Sequence, residues 1–164
     1  MTNEKRPAPV YKGQTKHINN DEGFAVWLPN DWHKFDMKEG HIGWVFSPYA
    51  DDFNTNFTVE KHKLEYAVTT EDKELLMEGF LEGINSLPDA EILESKTDTG
   101  KKAVILEAKF TFTEEGQTRK RWIKSMYWGE ANLVMIAQGR TVEDFEHWLP
   151  MLYNSMYDYE LGIG

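Results

Sequence analysis

Residues 23–32 place Phe24, Val26 and Leu28 in alternation with Ala25 and Trp27, which is the period of a strand. Pro29-Asn30-Asp31 predicts a turn, and residues 32–36 a short partner strand. Gly40 and Gly43 bracket a second turn before another short apolar strand at 44–48. A polar loop at 51–54 leads into a longer strand over 55–68, with Phe57 and Val59 on one face. The pattern then changes to a helical one. Thr69 or Thr70 can cap the helix, and Glu71, Asp72 and Glu74 suit its positive end. Leu76, Phe80, Ile84 and Leu87 recur at three and four residues, with Leu81 beside them, until Pro88 stops the helix.

The second half repeats this rough order. Residues 90–96 predict a short strand ending in a turn at Asp98-Thr99-Gly100. Over 102–112, Val104, Leu106, Ala108, Phe110 and Phe112 share one face, while Ile105, Glu107, Lys109 and Thr111 share the other. Glu114-Glu115-Gly116 reads as a hairpin turn, followed by a strand carrying Trp122, Met126 and Trp128 interleaved with Ile123 and Tyr127. A turn at 129–132 leads to the third strand of an antiparallel meander. Thr141 caps the last helix, with Asp144 placed as in a capping box. Its apolar stripe is Val142, Phe145, Trp148, Leu149, Leu152 and Met156, and Pro150 inside it predicts a kink. Long antiparallel strands with two amphipathic helices predict an α+β fold, a central antiparallel sheet flanked by helices. The domain spans 17–160. A polar arm at 1–16, kept extended by Pro7 and Pro9, precedes it, and a frayed tail at 161–164 follows.

Composition narrows the classes. A chain of 164 residues fits one domain, and its six Trp, seven Tyr and nine Phe supply a core that needs no staple. The absence of cysteine excludes disulfides, thiolate nucleophiles and Cys-ligated metals. The net charge of −10 argues against a nucleic-acid partner. No apolar run approaches the ~20 residues of a membrane span. The opening residues carry no leader, so a cytoplasmic location is expected as written, or an envelope location where a leader has been removed.

Charge is unevenly spread. Residues 69–95 hold eight acids against Lys73 alone, and 141–164 hold five acids with no Lys or Arg. Residues 96–140 are net +4, with Arg119, Lys120, Arg121 and Lys124 as the sharpest cluster. If exposed, that cluster is a docking patch for a protein partner.

The remaining candidates are weaker. His33, Asp36, Glu39 and His41 are the densest imidazole–carboxylate set, but they span a strand end and a Gly-bounded turn where solvated polar residues are expected. His17, His62 and His147 are scattered, so no metal is expected. Ser47, Ser86, Ser95, Ser125 and Ser155 include no nucleophile elbow, and no phosphate-binding glycine motif occurs. Asn56-Phe57-Thr58 is a glycosylation sequon inside an expected strand.

The opening strand ending at Pro29 and Trp32, the phrase Phe46-Ser47-Pro48, and the closing helix with Ser155-Met156 together resemble the PsbP-like superfamily. That group includes the extrinsic P subunit of photosystem II, a Ran-binding factor and DcrB-type bacterial lipoproteins. The resemblance implies an α/β/α sandwich acting as a non-enzymatic binding or assembly module, with no catalytic residue and no cofactor. The alternative is a small-ligand or metal carrier using a cleft between sheet and helix.

Overall fold

The computed structural model describes residues 7–100 and 103–162. Strands β1 (Gln14–Asn19), β2 (Phe24–Pro29), β3 (His33–Asp36), β4 (Ile42–Ser47) and β5 (Asn56–Val68) lead to a 3₁₀ turn at Thr70–Asp72 and helix α1 (Lys73–Asn85). Then come β6 (Glu91–Thr99), β7 (Ala103–Glu114), β8 (Gln117–Gly139), helix α2 (Val142–Tyr157) and β9 (Tyr159–Leu161). The strands form a six-stranded sheet in the order β3-β4-β5-β8-β7-β6 and a smaller one in the order β1-β2-β9, every pairing antiparallel.

The long strand β8 doubles back on itself. Its first half pairs with β7 up to Trp128, and Gly129 and residues 131–138 pair with β5. Arg121 and Gln138 are 17 residues apart in sequence, yet their side chains are 2.9 Å apart. A straight strand would separate them by roughly 55 Å. The reversal falls at Gly129, whose φ of +53° suits a residue without Cβ. The expected meander is therefore present, with its second turn folded into one continuous strand.

Each face of the large sheet has its own apolar layer. On one face, Phe46, Phe57, Val59, Trp122, Met126, Leu133 and Met135 pack against Phe24, Val26 and Leu28 of β2 and Phe145, Leu152 and Met156 of α2. On the other, Ala108, Phe110 and Phe112 of β7 meet Ile84 of α1, with Phe80, Leu87 and Ile123 half-buried around them. This is the expected α+β arrangement, with one helix on each face. The local signals act as the sequence predicts. The Thr141 side chain accepts from the Asp144 amide at 3.1 Å, and the Thr69 amide donates to Asp72 at 2.9 Å. α2 continues through Pro150 to Tyr157.

Several boundaries differ. β1 begins at Gln14, inside the stretch read as an arm, and residues 1–6 lie outside the described residues. Its sequence shows little apolar alternation, because the ladder to β2 supplies its order. Leu161, read as part of a frayed tail, pairs with Phe24 through β9, while residues 163–164 lie outside the described residues. β6 runs through the turn expected at 98–100, with Thr99 opposite Val104. Among the described residues, no helix is long and apolar enough to cross a membrane.

The seat of α2 on β8 is tight. A Cβ at Gly139 would lie 2.2 Å from the Phe145 amide nitrogen. Gly139→Ala is expected to cost about 1–3 kcal/mol or more through forced overpacking. Phe145→Ala, at a fully buried ring, is expected to cost about 3–5 kcal/mol. Denaturant melts check both, and an unchanged midpoint for Gly139→Ala would mean that α2 does not dock there.

Candidate functional site

The four cations singled out in the sequence do not form one patch. The β7–β8 register sets Arg119 opposite Phe112 and Arg121 opposite Phe110, on the α1 side of the sheet. Lys120 and Lys124 point to the α2 side. Lys120 bonds Glu146 at 2.5 Å, and Lys124 donates to the Met156 carbonyl at 3.0 Å. Alternation along a strand requires this split, since neighbouring residues face opposite ways.

Nor are all four exposed. Arg119 is 1% and Lys124 3% exposed, which corrects the expectation of a solvent-facing cluster. Arg119 Nη2 lies 3.5 Å from a Glu115 carboxylate, while its Nε and Nη1 have no hydrogen-bond partner. Arg121 donates to Gln138 and stacks over Phe112 at 4.5 Å, and burial pulls its pKa down. Lys124 sits between the rings of Tyr157 and Tyr159 at 4.3 and 5.1 Å. Burial lowers its pKa, opposed by the charge of Glu107. Its ammonium meets a carbonyl in the last turn of α2, where no basic residue of the helix itself is found.

The other candidates are also dispersed. His41 Nδ1 is 2.7 Å from Glu60, on β5, which is not a member of the set read from the sequence. Among the described residues, no group of three or more His, Asp or Glu side chains is poised to hold a metal. Ser47, Ser86 and Ser155 donate to backbone carbonyls, and Ser125 accepts from Asn132. Asn56 bonds the Phe53 carbonyl at the start of β5.

A cleft lies between the margin of the large sheet and the end of α2. It measures about 280 Å³ and is lined by Glu94, Ser95 and Lys96 of β6, Glu107, Ala108 and Lys109 of β7, and Tyr157 of α2. Glu107 is only 6% exposed and accepts from the buried Trp122 indole at 2.7 Å. Ile105 of β7, with Trp122 and Met126 of β8 on the same face, was the signal in the sequence that this face is covered.

No protein-family model matches the sequence, and no curated protein matches it. Solved structures do match. Cyanobacterial PsbP (CyanoP) from Synechocystis sp. PCC 6803 superposes with a TM-score of 0.63 at 10% identity, over 98% of this chain and 97% of that one. The chain adopts the PsbP-like fold. LpqN of Mycobacterium tuberculosis, described as involved in cell envelope biogenesis, gives 0.62 at 13% identity, over 91% of this chain and 90% of that one. The Saccharomyces cerevisiae Ran-binding protein Mog1p gives 0.54 at 8% identity, over 92% and 96%. At such identities the PsbP-like likeness is one of backbone layout, and the side chains of the site are this chain's own.

Burial makes Arg119 sensitive to charge reversal. Arg119→Glu is expected to cost about 3–5 kcal/mol or to prevent folding, whereas Lys120→Gln, which removes one ion pair with the half-exposed Glu146, costs about 1 kcal/mol. Equal small effects in thermal melts would place Arg119 at the surface.

His17 gives a pH signature. Its ring packs on Phe46 at 4.8 Å and Trp44 at 6.3 Å, and burial, with Lys34 nearby, holds its pKa below the usual value. The unfolded chain therefore binds more protons in the window just below about 6.5. Stability is complete above that pH and is lost as pH falls through the folded value. Denaturation midpoints should show this slope, and His17→Phe should flatten it.

Proposed function

We propose that the protein is a binding or assembly module without chemistry of its own, and that it docks a protein partner through the outer face of α1. The observation that carries this reading is an imbalance in how the charges are used. The cations of β8 are spent within the fold, on Glu115, Glu146, Gln138 and the Met156 carbonyl. Glu71, Glu74, Glu78 and Glu82 are exposed, and among the described residues none is in an ion pair. Leu75 stands among them on the helix, 73% exposed.

An apolar side chain ringed by unpaired acids suits a basic partner surface with an apolar recess. The Ran-binding function stated for Mog1p supports a protein partner as a class. The partner patch read at Arg119, Lys120, Arg121 and Lys124 is the less favoured alternative, because its members are divided between two faces of the sheet.

The test is a pull-down followed by quantitative binding to the partner it identifies. Glu78→Lys with Glu82→Lys should leave the fold intact, within about 0.5 kcal/mol each at exposed sites. The pair should abolish or strongly weaken binding, and wild-type affinity should fall as salt rises. Undiminished, salt-independent binding by the double variant would rule out α1 as the docking face.

A further inference from the structure

The floor of the β6–β7 cleft carries four charges of alternating sign. Glu94 faces Lys109 across the strands at 3.1 Å, and Lys96 faces Glu107 at 3.5 Å. Like charges occupy the diagonals of this square, with cross-strand corners about 5 Å apart and same-strand corners about 7 Å apart. Tyr157 stands over it as a wall.

A solvated ion ladder that blunts an edge strand accounts for Glu94 and Lys96, whose side chains are 66% and 56% exposed. It does not account for Glu107 at 8% or Lys109 at 26%. Glu107 is fixed by the Trp122 indole, and the Lys109 ammonium lies 4.4 Å from the centre of the same ring. Trp122 is itself boxed by Tyr153 and Tyr157, at 6.0 and 5.7 Å. A largely desolvated carboxylate and ammonium are thus held in place beside an open cavity before any ligand arrives.

We propose that this cleft binds a free α-amino acid with an apolar side chain, as its zwitterion. A ligand with a single charge over an alternating square meets repulsion and attraction in equal measure. A ligand with ammonium and carboxylate side by side meets an opposite charge at both, the ammonium toward Glu94 or Glu107 and the carboxylate toward Lys96 or Lys109. The half-exposed Tyr157 ring supplies an apolar surface for the side chain. The volume of about 280 Å³ is at the lower edge of small-ligand clefts, which suits one amino acid and is too small for a nucleotide or lipid. The cleft lies on the α2 side of the sheet, away from α1, so it does not depend on the docking reading.

The experiment titrates isotopically labelled protein with L-leucine, 4-methylpentanoate and 3-methylbutylamine, following the Trp122 indole N–H signal. The two analogues each keep the side chain and one charge. L-Leucine should shift the signal saturably, and each analogue should bind at least about tenfold more weakly. Glu107→Gln should weaken leucine binding by a similar factor. Because a substitution at a buried site can loosen the fold, Lys96→Gln, at an exposed side chain, serves as the second variant and should also weaken it. No saturable shift at millimolar leucine, or equal affinity for either analogue, would overturn the proposal. The Glu78→Lys, Glu82→Lys variant should bind leucine as the wild type does, so failure of one reading leaves the other standing.

Discussion

Each strand side chain of the β7–β8 hairpin points into one of two layers, because α2 covers one face of the six-stranded sheet and α1 the other. This two-sided covering is the constraint on which the rest depends. A strand with one wet face can carry charges there at no cost. A strand covered on both faces has to find partners for them inside. In β8 the covering leaves Arg119, Arg121, Trp122, Lys124 and Met126 all partly or wholly out of water.

The cations answer that constraint in different ways. Lys124 meets the closing turn of α2, so a strand residue supplies the positive charge that the helix C-terminus lacks in its own sequence. Arg121 spreads its guanidinium over Phe112 and bonds Gln138. Lys120 reaches Glu146 on the first turns of α2 and covers Phe145. Arg119 is the least satisfied, with two buried nitrogens unbonded and one exposed carboxylate nearby. The positive charge that looked like a recognition surface therefore serves mainly to hold α2 and the β7–β8 hairpin together. Glu71, Glu74, Glu78 and Glu82, by contrast, stay on the outside, in no ion pair among the described residues.

The same covering creates the cleft beside Tyr157. α2 and the small sheet do not extend over β6, so the α2-side face of the large sheet ends in a charged margin next to an aromatic wall. Structures sharing as little as 8–13% identity superpose on this backbone, so the PsbP-like fold rests on layering and hydrogen-bond ladders rather than on particular side chains.

The sequence by itself determined every element with a clean period. The alternation at 24–28 and 104–112, the caps at Thr69 and Thr141, and the stop at Pro88 all act locally, through backbone sterics and side-chain spacing within a few residues. β9 escaped because its order comes from a ladder to β2 at the other end of the chain, and β1 because its own residues carry little apolar alternation and its order comes from the hairpin with β2. The division of Arg119 and Arg121 from Lys120 and Lys124 was legible in principle, from parity along the strand. Their burial was not, nor was that of Glu107. Whether a charged residue on a strand meets water depends on where α2 and Tyr157 come to rest, and only the tertiary structure decides that, because burial is set by residues far away in the chain.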